Sequence, residues 1–145
     1  LQCEYSLWSR EPEQELLDAC KELGITFVSY SPLGRGFLTG AIKSRADMEP
    51  GDFRLNNPRF TEEAIKENIR FVEVIDQLAK DKGVTKAQIA LAWILSQNDE
   101  ITAIPGTRNM HRLEENLGAL NVALTHADMD VIETSIPTST VGSRY

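Results

Sequence analysis

Long apolar runs are missing from this sequence. None approaches the roughly 18–20 residues a helix needs to cross a bilayer, so a membrane-spanning helix is not expected. Cysteine is scarce: Cys3 and Cys20 are the only two, too few for a disulfide framework. Both stand where apolar side chains belong, so they are expected to be reduced core thiols of a cytoplasmic protein. Positive charge is in deficit, with 15 Lys and Arg against 22 Asp and Glu, a net charge of −7 and a pI near 4.8. A general nucleic-acid binder needs the opposite balance, so nucleic acid is not an expected partner. No signal-peptide pattern opens the chain, no initiator Met precedes Leu1, and Leu1 begins inside an apparent strand. What is present is a chain of 145 residues, 41% hydrophobic and 26% charged. That is enough to bury one core.

Taken in order, Leu1–Trp8 alternates apolar and polar residues and predicts a strand. Pro12 suits the first turn of a helix whose buried stripe would be Leu16, Leu17, Ala19, Cys20 and Leu23, stopped by Gly24. Ile25–Tyr30 predicts a second strand, β-branched as buried parallel strands are. Ser31–Gly40 holds three glycines and a proline and predicts a loop at the carboxyl end of that strand. Ala41–Phe60 continues irregularly, and a stretch this long without structure inside a domain is usually functional. Phe53 and Phe60 within it are candidates either for a pocket wall or for packing.

Thr61 caps a long helix with Ile65, Ile69, Val72, Ile75 and Leu78 on one face, closed by Gly83. Thr85 and Gln88 form a capping box for a helix carrying Ile89, Leu91, Ala92, Trp93 and Leu95. A strand over Ile101–Ile104 follows, then a turn and a helix from Asn109 or Met110. Thr125 and Asp128 open a last helix, and Ser139–Tyr145 is a polar tail expected to be loosely held. Strands alternating with helices argue for βαβ units in a parallel sheet. Three strands cannot close a barrel, which takes typically about 250 residues.

The most informative stretch is Ile101–Leu120. A strand that ends in a Gly-containing turn and feeds a helix presents backbone N–H groups and the positive end of a macrodipole. Thr107 adds a hydroxyl, while Arg108 and Arg112 add guanidinium forks suited to a phosphate monoester. Glu115 and Asn116 follow Arg112 at i,i+3 and i,i+4. On spacing alone, an anion site and a plain turn with solvated arginines remain equally open. Gln2 likewise reads as surface and Tyr30 as a core aromatic, absent other information. His111 and His126 read as surface residues.

Three segments together resemble the aldo-keto reductases: Gln2-Cys3-Glu4-Tyr5-Ser6, Val28–Gly36 (VSYSPLGRG), and Ile104-Pro105-Gly106-Thr107 with Arg112, Glu115 and Asn116. The terminal Val141–Tyr145 also resembles that family's C-terminus. The resemblance implies an α/β fold, the C-terminal part of a (β/α)8 TIM barrel covering strands six to eight and an extra C-terminal helix. Residues 1–145 would then be its NADP-binding half, with the catalytic Asp, Tyr, Lys and His all preceding Leu1. It implies an NADP(H)-dependent oxidoreductase that reduces aldehyde or ketone carbonyls.

By the same resemblance, Gln2 orients the nicotinamide amide, Tyr30 stacks on the ring, and Ser31, Leu33, Arg35 and Gly36 hold the pyrophosphate. Ile104 and Gly106 line the strand end, Thr107, Arg108 and Arg112 take the 2′-phosphate, and Glu115 and Asn116 face the adenine. Gly106 stands where many members carry Lys, which leaves the preference for NADPH over NADH open; Arg108 is the neighbouring charge that compensates. Potassium-channel β-subunits share the fold and act as nucleotide-sensing regulators, so catalysis and regulation are separated by turnover. A non-catalytic half-barrel is the third alternative. Substrate and oligomeric state are not indicated.

Overall fold

The computed structural model describes residues 1–144; Tyr145, the last residue of the C-terminal motif, lies outside the described residues. Three strands, β1 (Gln2–Glu4), β2 (Phe27–Tyr30) and β3 (Ile101–Ala103), form a parallel sheet in the order β1-β2-β3. Around them lie α1 (Leu16–Leu23), α2 (Glu62–Lys82), α3 (Lys86–Ser96), α4 (Met110–Leu117) and α5 (His126–Ser135).

The register sorts side chains by face, since partners across a parallel pair point the same way and neighbours along a strand point oppositely. Phe27, Ser29 and Ile101 share the buried face, where Trp93 of α3 packs. Gln2, Val28, Tyr30 and Thr102 share the other face, which is open or half-open. Tyr5 meets Phe27 edge-on at 5.9 Å and Trp93 at 5.4 Å. A second aromatic group, Trp8 stacked on Phe37 at 4.2 Å with Phe60 edge-on at 5.3 Å, fixes the loop after β2 against the chain after β1. Phe60 is therefore core.

The helix starts were legible. Asn109, Thr61, Thr85 and Thr125 each accept the backbone N–H three residues on, and Thr85 and Thr125 complete capping boxes with Gln88 and Asp128. Four expectations need correction. The first strand is much shorter than Leu1–Trp8, because Ser6 and Ser9 pair with each other (3.2 and 3.0 Å) and Ser6 Oγ accepts from the Trp8 N–H at 3.1 Å. Such local bonds compete with the ladder and turn the chain. Pro12 sits in a separate 3-10 turn at Glu11–Glu13, and α1 begins only at Leu16. Its stripe is half open: Cys20 is buried, but Leu16 and Leu23 are exposed. Ala41–Phe60, expected to be irregular, contains three short 3-10 turns at Arg45–Asp47, Phe53–Asn56 and Pro58–Phe60.

The described part of the tail, residues 139–144, is not loosely held. Asn68 in α2, fully buried, donates to the Val141 carbonyl (2.9 Å) and accepts from the Val141 N–H (3.1 Å). Asn57 donates to the Arg144 carbonyl at 3.1 Å. Between these pins Gly142 adopts φ +89°, and a Cβ there would stand 2.7 Å from the Pro58 carbonyl oxygen and 2.8 Å from the Arg59 Cα. Gly142→Ala is accordingly expected to cost about 1–3 kcal/mol through strain and overpacking. The urea midpoint reads this; a midpoint unchanged from wild type would show that the tail contributes nothing.

Candidate functional site

A cavity of about 1030 Å³ opens at the carboxyl ends of β2 and β3. That is where a parallel strand hands over to a loop and where α/β folds place their ligands. One wall is the end of β2 and the loop behind it: Tyr30, Ser31, Leu33, Arg35 and Gly36. The opposite wall is the end of β3 and the turn into α4: Ile104, Gly106, Thr107, Arg112, Glu115 and Asn116. Arg108 lies just outside, in an adjoining shallow depression shared with Gly106, Thr107, Asn109 and Arg112. Gln2 is the exception. It is exposed, pairs with Val28 two residues before the end of β2, and is not on the cavity wall.

The loop after Tyr30 is bent by a series of left-handed residues: Ser31 (φ 50°), Gly34 (57°), Arg35 (55°) and Gly36 (93°). Two of these carry a Cβ, and such strain concentrates where a loop serves a ligand. The Gly34 and Gly36 N–H groups are already bonded to the Ser31 and Leu33 carbonyls (2.9 and 3.0 Å). These glycines make the turn rather than donate, and Ser31 and Arg35 offer polar side chains on this wall. Gly34 also lets the loop close on the aromatic group, since a Cβ there would stand 2.9 Å from Trp8 Cε3.

At the other wall Thr107 Oγ1 accepts from the Asn109 N–H (3.1 Å), and Asn109 Oδ1 caps α4 by accepting from Arg112 N–H at 3.2 Å. The anion-binding capacity there rests on side chains. Arg108 and Arg112 are exposed and enter no ion pair among the described residues. Nothing lies within 4 Å of a Cβ built on Gly106. Asn116 is buried, and α3 holds α4 in place through Gln88, which donates to the Glu115 carbonyl at 2.9 Å.

The sequence reading missed a third wall. The α2–α3 turn contributes Asp76, Lys80, Val84, Thr85 and Lys86, and the exposed Phe53 closes one side. Lys80 and Lys86 each sit 2.6 Å from Asp76, and their hydrogen bonds hold its carboxyl down near a pKa of about 2. Asp76 therefore stays charged and partners both lysines at any physiological pH. Among the described residues on this side, Arg108 and Arg112 are the cations with no carboxylate partner. The signal available in sequence was Gly83 beside the Thr85 cap, which fixes a tight turn but not what it faces.

A second missed feature lies beside Tyr30. Glu4, almost fully buried at the end of β1, receives Ser9 Oγ–H at 2.7 Å and approaches three guanidiniums: Arg35 (3.3 Å), Arg59 (3.5 Å) and Arg144 (3.3 Å). Arg59 is sealed in, donating to Ser9 Oγ (2.6 Å) and the Trp8 carbonyl (3.0 Å). Burial, with Arg35 and Arg144 alongside, pulls its pKa below the usual arginine value, although Glu4 and Glu11 oppose the shift.

Comparison with known proteins gives this arrangement a context. A model of the aldo/keto reductase family matches residues 1–136. The chain is 44% identical to an aldo-keto reductase of Schizosaccharomyces pombe whose name specifies NADP(+), aligning over 100% of this chain and 44% of that protein. It is 43% identical to a probable aldo-keto reductase of Glycine max, over 100% of this chain and 42% of that one. The chain thus spans less than half the length of either relative. Among solved structures, a glycerol dehydrogenase of Gluconobacter oxydans superimposes with a TM-score of 0.85 at 21% identity, over 99% of this chain and 45% of that one. At that identity the likeness shows the fold, and the solved neighbours are (β/α)8 barrels. The parallel sheet and its helices match part of such a barrel, and the chain belongs to the aldo/keto reductase family.

Proposed function

We propose that residues 1–145 are the C-terminal, cofactor-holding part of an NADP(H)-dependent aldo-keto reductase. The observation that carries this is the cavity, which brings the end of β2 and the β3–α4 turn together around one space. Its volume is at the top of the usual range of about 300–1,000 Å³ for ligand pockets, as a dinucleotide requires. The residues present fit the cofactor: a half-buried aromatic at one wall, the guanidinium of Arg112 without a carboxylate partner at the other, and that of Arg108 in the adjoining depression. NADP is also named for the Schizosaccharomyces pombe relative.

In this reading Tyr30 bears the nicotinamide ring, and Ser31, Leu33, Arg35 and Gly36 border the pyrophosphate. Thr107, Arg108 and Arg112 take the 2′-phosphate, while Ile104, Gly106, Glu115 and Asn116 enclose the adenosine. Gln2, away from the cavity wall, orients the amide from the open face of the sheet. Bound NADPH supplies a hydride to an aldehyde or ketone; this chain binds and orients it. Proton donation falls to no residue of this chain. The exposed apolar residues Leu16, Leu23 and Leu117 mark where the rest of a barrel would pack. The free thiols Cys3 and Cys20 suit the cytoplasm.

Arg112→Ala tests the reading. Losing one charge-assisted contact is expected to weaken NADPH by roughly 1.5–3 kcal/mol, or about ten- to a hundredfold. NADH, lacking the 2′-phosphate, should bind as before. Titration of both nucleotides into the full-length protein measures this, and an unchanged NADPH affinity would reject the 2′-phosphate role.

A further inference from the structure

We propose that Arg144, three residues after Val141, where the buried Asn68 anchors the C-terminal tail, is a positioning residue that sets the ring of Tyr30 for the nicotinamide. The inference rests on the cofactor reading above and deepens it. Arg144 Nη2 donates to the Tyr30 hydroxyl, and the guanidinium carbon stands 5.4 Å from the centroid of the Tyr30 ring. Tyr30 lines the cavity and Arg144 does not, so the tail supports the ring from behind and leaves the cavity face to the ligand.

Three observations make this a built contact. The tail's course is fixed by buried Asn68 on Val141, by Gly142 against the Pro58–Arg59 backbone, and by Asn57 on the Arg144 carbonyl. The Arg144 Nε is 3.3 Å from Glu4, the residue paired with Tyr30 across the β1–β2 ladder. Hydroxyl, guanidinium and carboxylate thus form one chain that ties the tail to both strand ends. Finally, Ser31 at φ 50° turns the backbone sharply just after Tyr30, so ladder and turn fix the main chain. The ring's torsions are what remain to be set, and Arg144 reaches both the hydroxyl and the ring, its guanidinium carbon lying over the ring.

The charge arithmetic separates this role from phosphate binding. Arg144 is paired with Glu4 and is outside the cavity, whereas Arg112 is unpaired at its wall. Removing Arg144 should therefore weaken the nicotinamide end of the cofactor and spare the adenosine end.

The test uses the full-length protein and two probes: NADPH, and adenosine 2′,5′-bisphosphate, which keeps the 2′-phosphate and lacks the nicotinamide. Arg144→Met is expected to weaken NADPH about tenfold and to leave the bisphosphate affinity unchanged. In a Tyr30→Phe background, where the hydroxyl is already gone, Arg144→Met should cause little further loss. Three results would overturn the inference: NADPH affinity unchanged by Arg144→Met, both probes weakened alike, or equal losses in the two backgrounds. Should Arg144→Met fail to fold, Tyr30→Phe alone decides, since it keeps the Glu4 pair. A loss confined to NADPH supports the positioning role, and no loss overturns it. If the wild-type protein binds neither probe, the cofactor reading itself falls and takes the inference with it. Wild-type binding of both, with Arg144→Met indifferent, removes only the role of Arg144.

Discussion

Glu4→Gln is expected to lower the stability of the fold by about 3–5 kcal/mol, the usual cost of deleting one partner of a buried charge network. The substitution changes almost no volume, so packing loss is not the cause. Glutamine still accepts one hydrogen bond from Ser9 or Arg59, but it no longer balances Arg35, Arg59 and Arg144. Arg59 suffers most. It is held by the Trp8 carbonyl and Ser9 at 5% side-chain exposure, and its other carboxylate, Glu11, is 3.6 Å away and 60% exposed. Water around Glu11 screens that pair, so it cannot take over. Arg144 and Arg35 can swing toward solvent, which releases the tail and the loop from the cavity mouth. Urea unfolding measures the effect, and a shift below about 1 kcal/mol would mean that the guanidiniums are satisfied without Glu4. A companion drop in NADPH affinity is expected, because Tyr30 and Arg35 both depend on this knot.

How much of this was legible follows from the range of the interactions. Capping is local, and the four starts at Thr61, Thr85, Asn109 and Thr125 stand where side chains and spacing put them. The two walls of the cavity were also legible, since each is a single segment with its own turn chemistry. Arg144 was not, because its partners Glu4 and Tyr30 lie 140 and 114 residues away, and a polar tail carries no periodicity to reveal them. The lysines of the α2–α3 turn look in sequence like spare positive charge. Only the placement of Asp76 between them shows that both are tied into ion pairs with one shared carboxylate. The first strand was misjudged for the opposite reason: Ser6 and Ser9 turn the chain locally, within a stretch whose apolar content suits a strand. Gly106 is informative in both views. It has a missing charge in sequence and open space around it in three dimensions.

Trp93→Ala should be as damaging as the loss of Glu4, by a different route. Trp93 is fully buried in the middle of α3, against Tyr5 at 5.4 Å, and Arg10 lies 5.1 Å above its ring. Arg10 is itself buried and clamps Glu13 (2.7 and 2.8 Å) and Glu133 of α5 (2.8 and 3.0 Å), joining the chain after β1 to the last helix. Removing the indole opens a cavity lined on one side by a guanidinium, which cannot collapse into an apolar hole without losing its carboxylates. The expected cost is about 3–5 kcal/mol, the range for truncating a buried Trp. The consequence reaches the site because α3 carries Gln88, whose amide holds the Glu115 carbonyl, and begins at Thr85 and Lys86 on the cavity wall. Adenosine 2′,5′-bisphosphate affinity should therefore fall with stability in this variant, whereas Arg144→Met spares it. A Trp93→Ala protein with wild-type urea midpoint would show that α3 is held by its remaining contacts. The phosphate turn would then owe its position to the Asn109 cap and β3 alone.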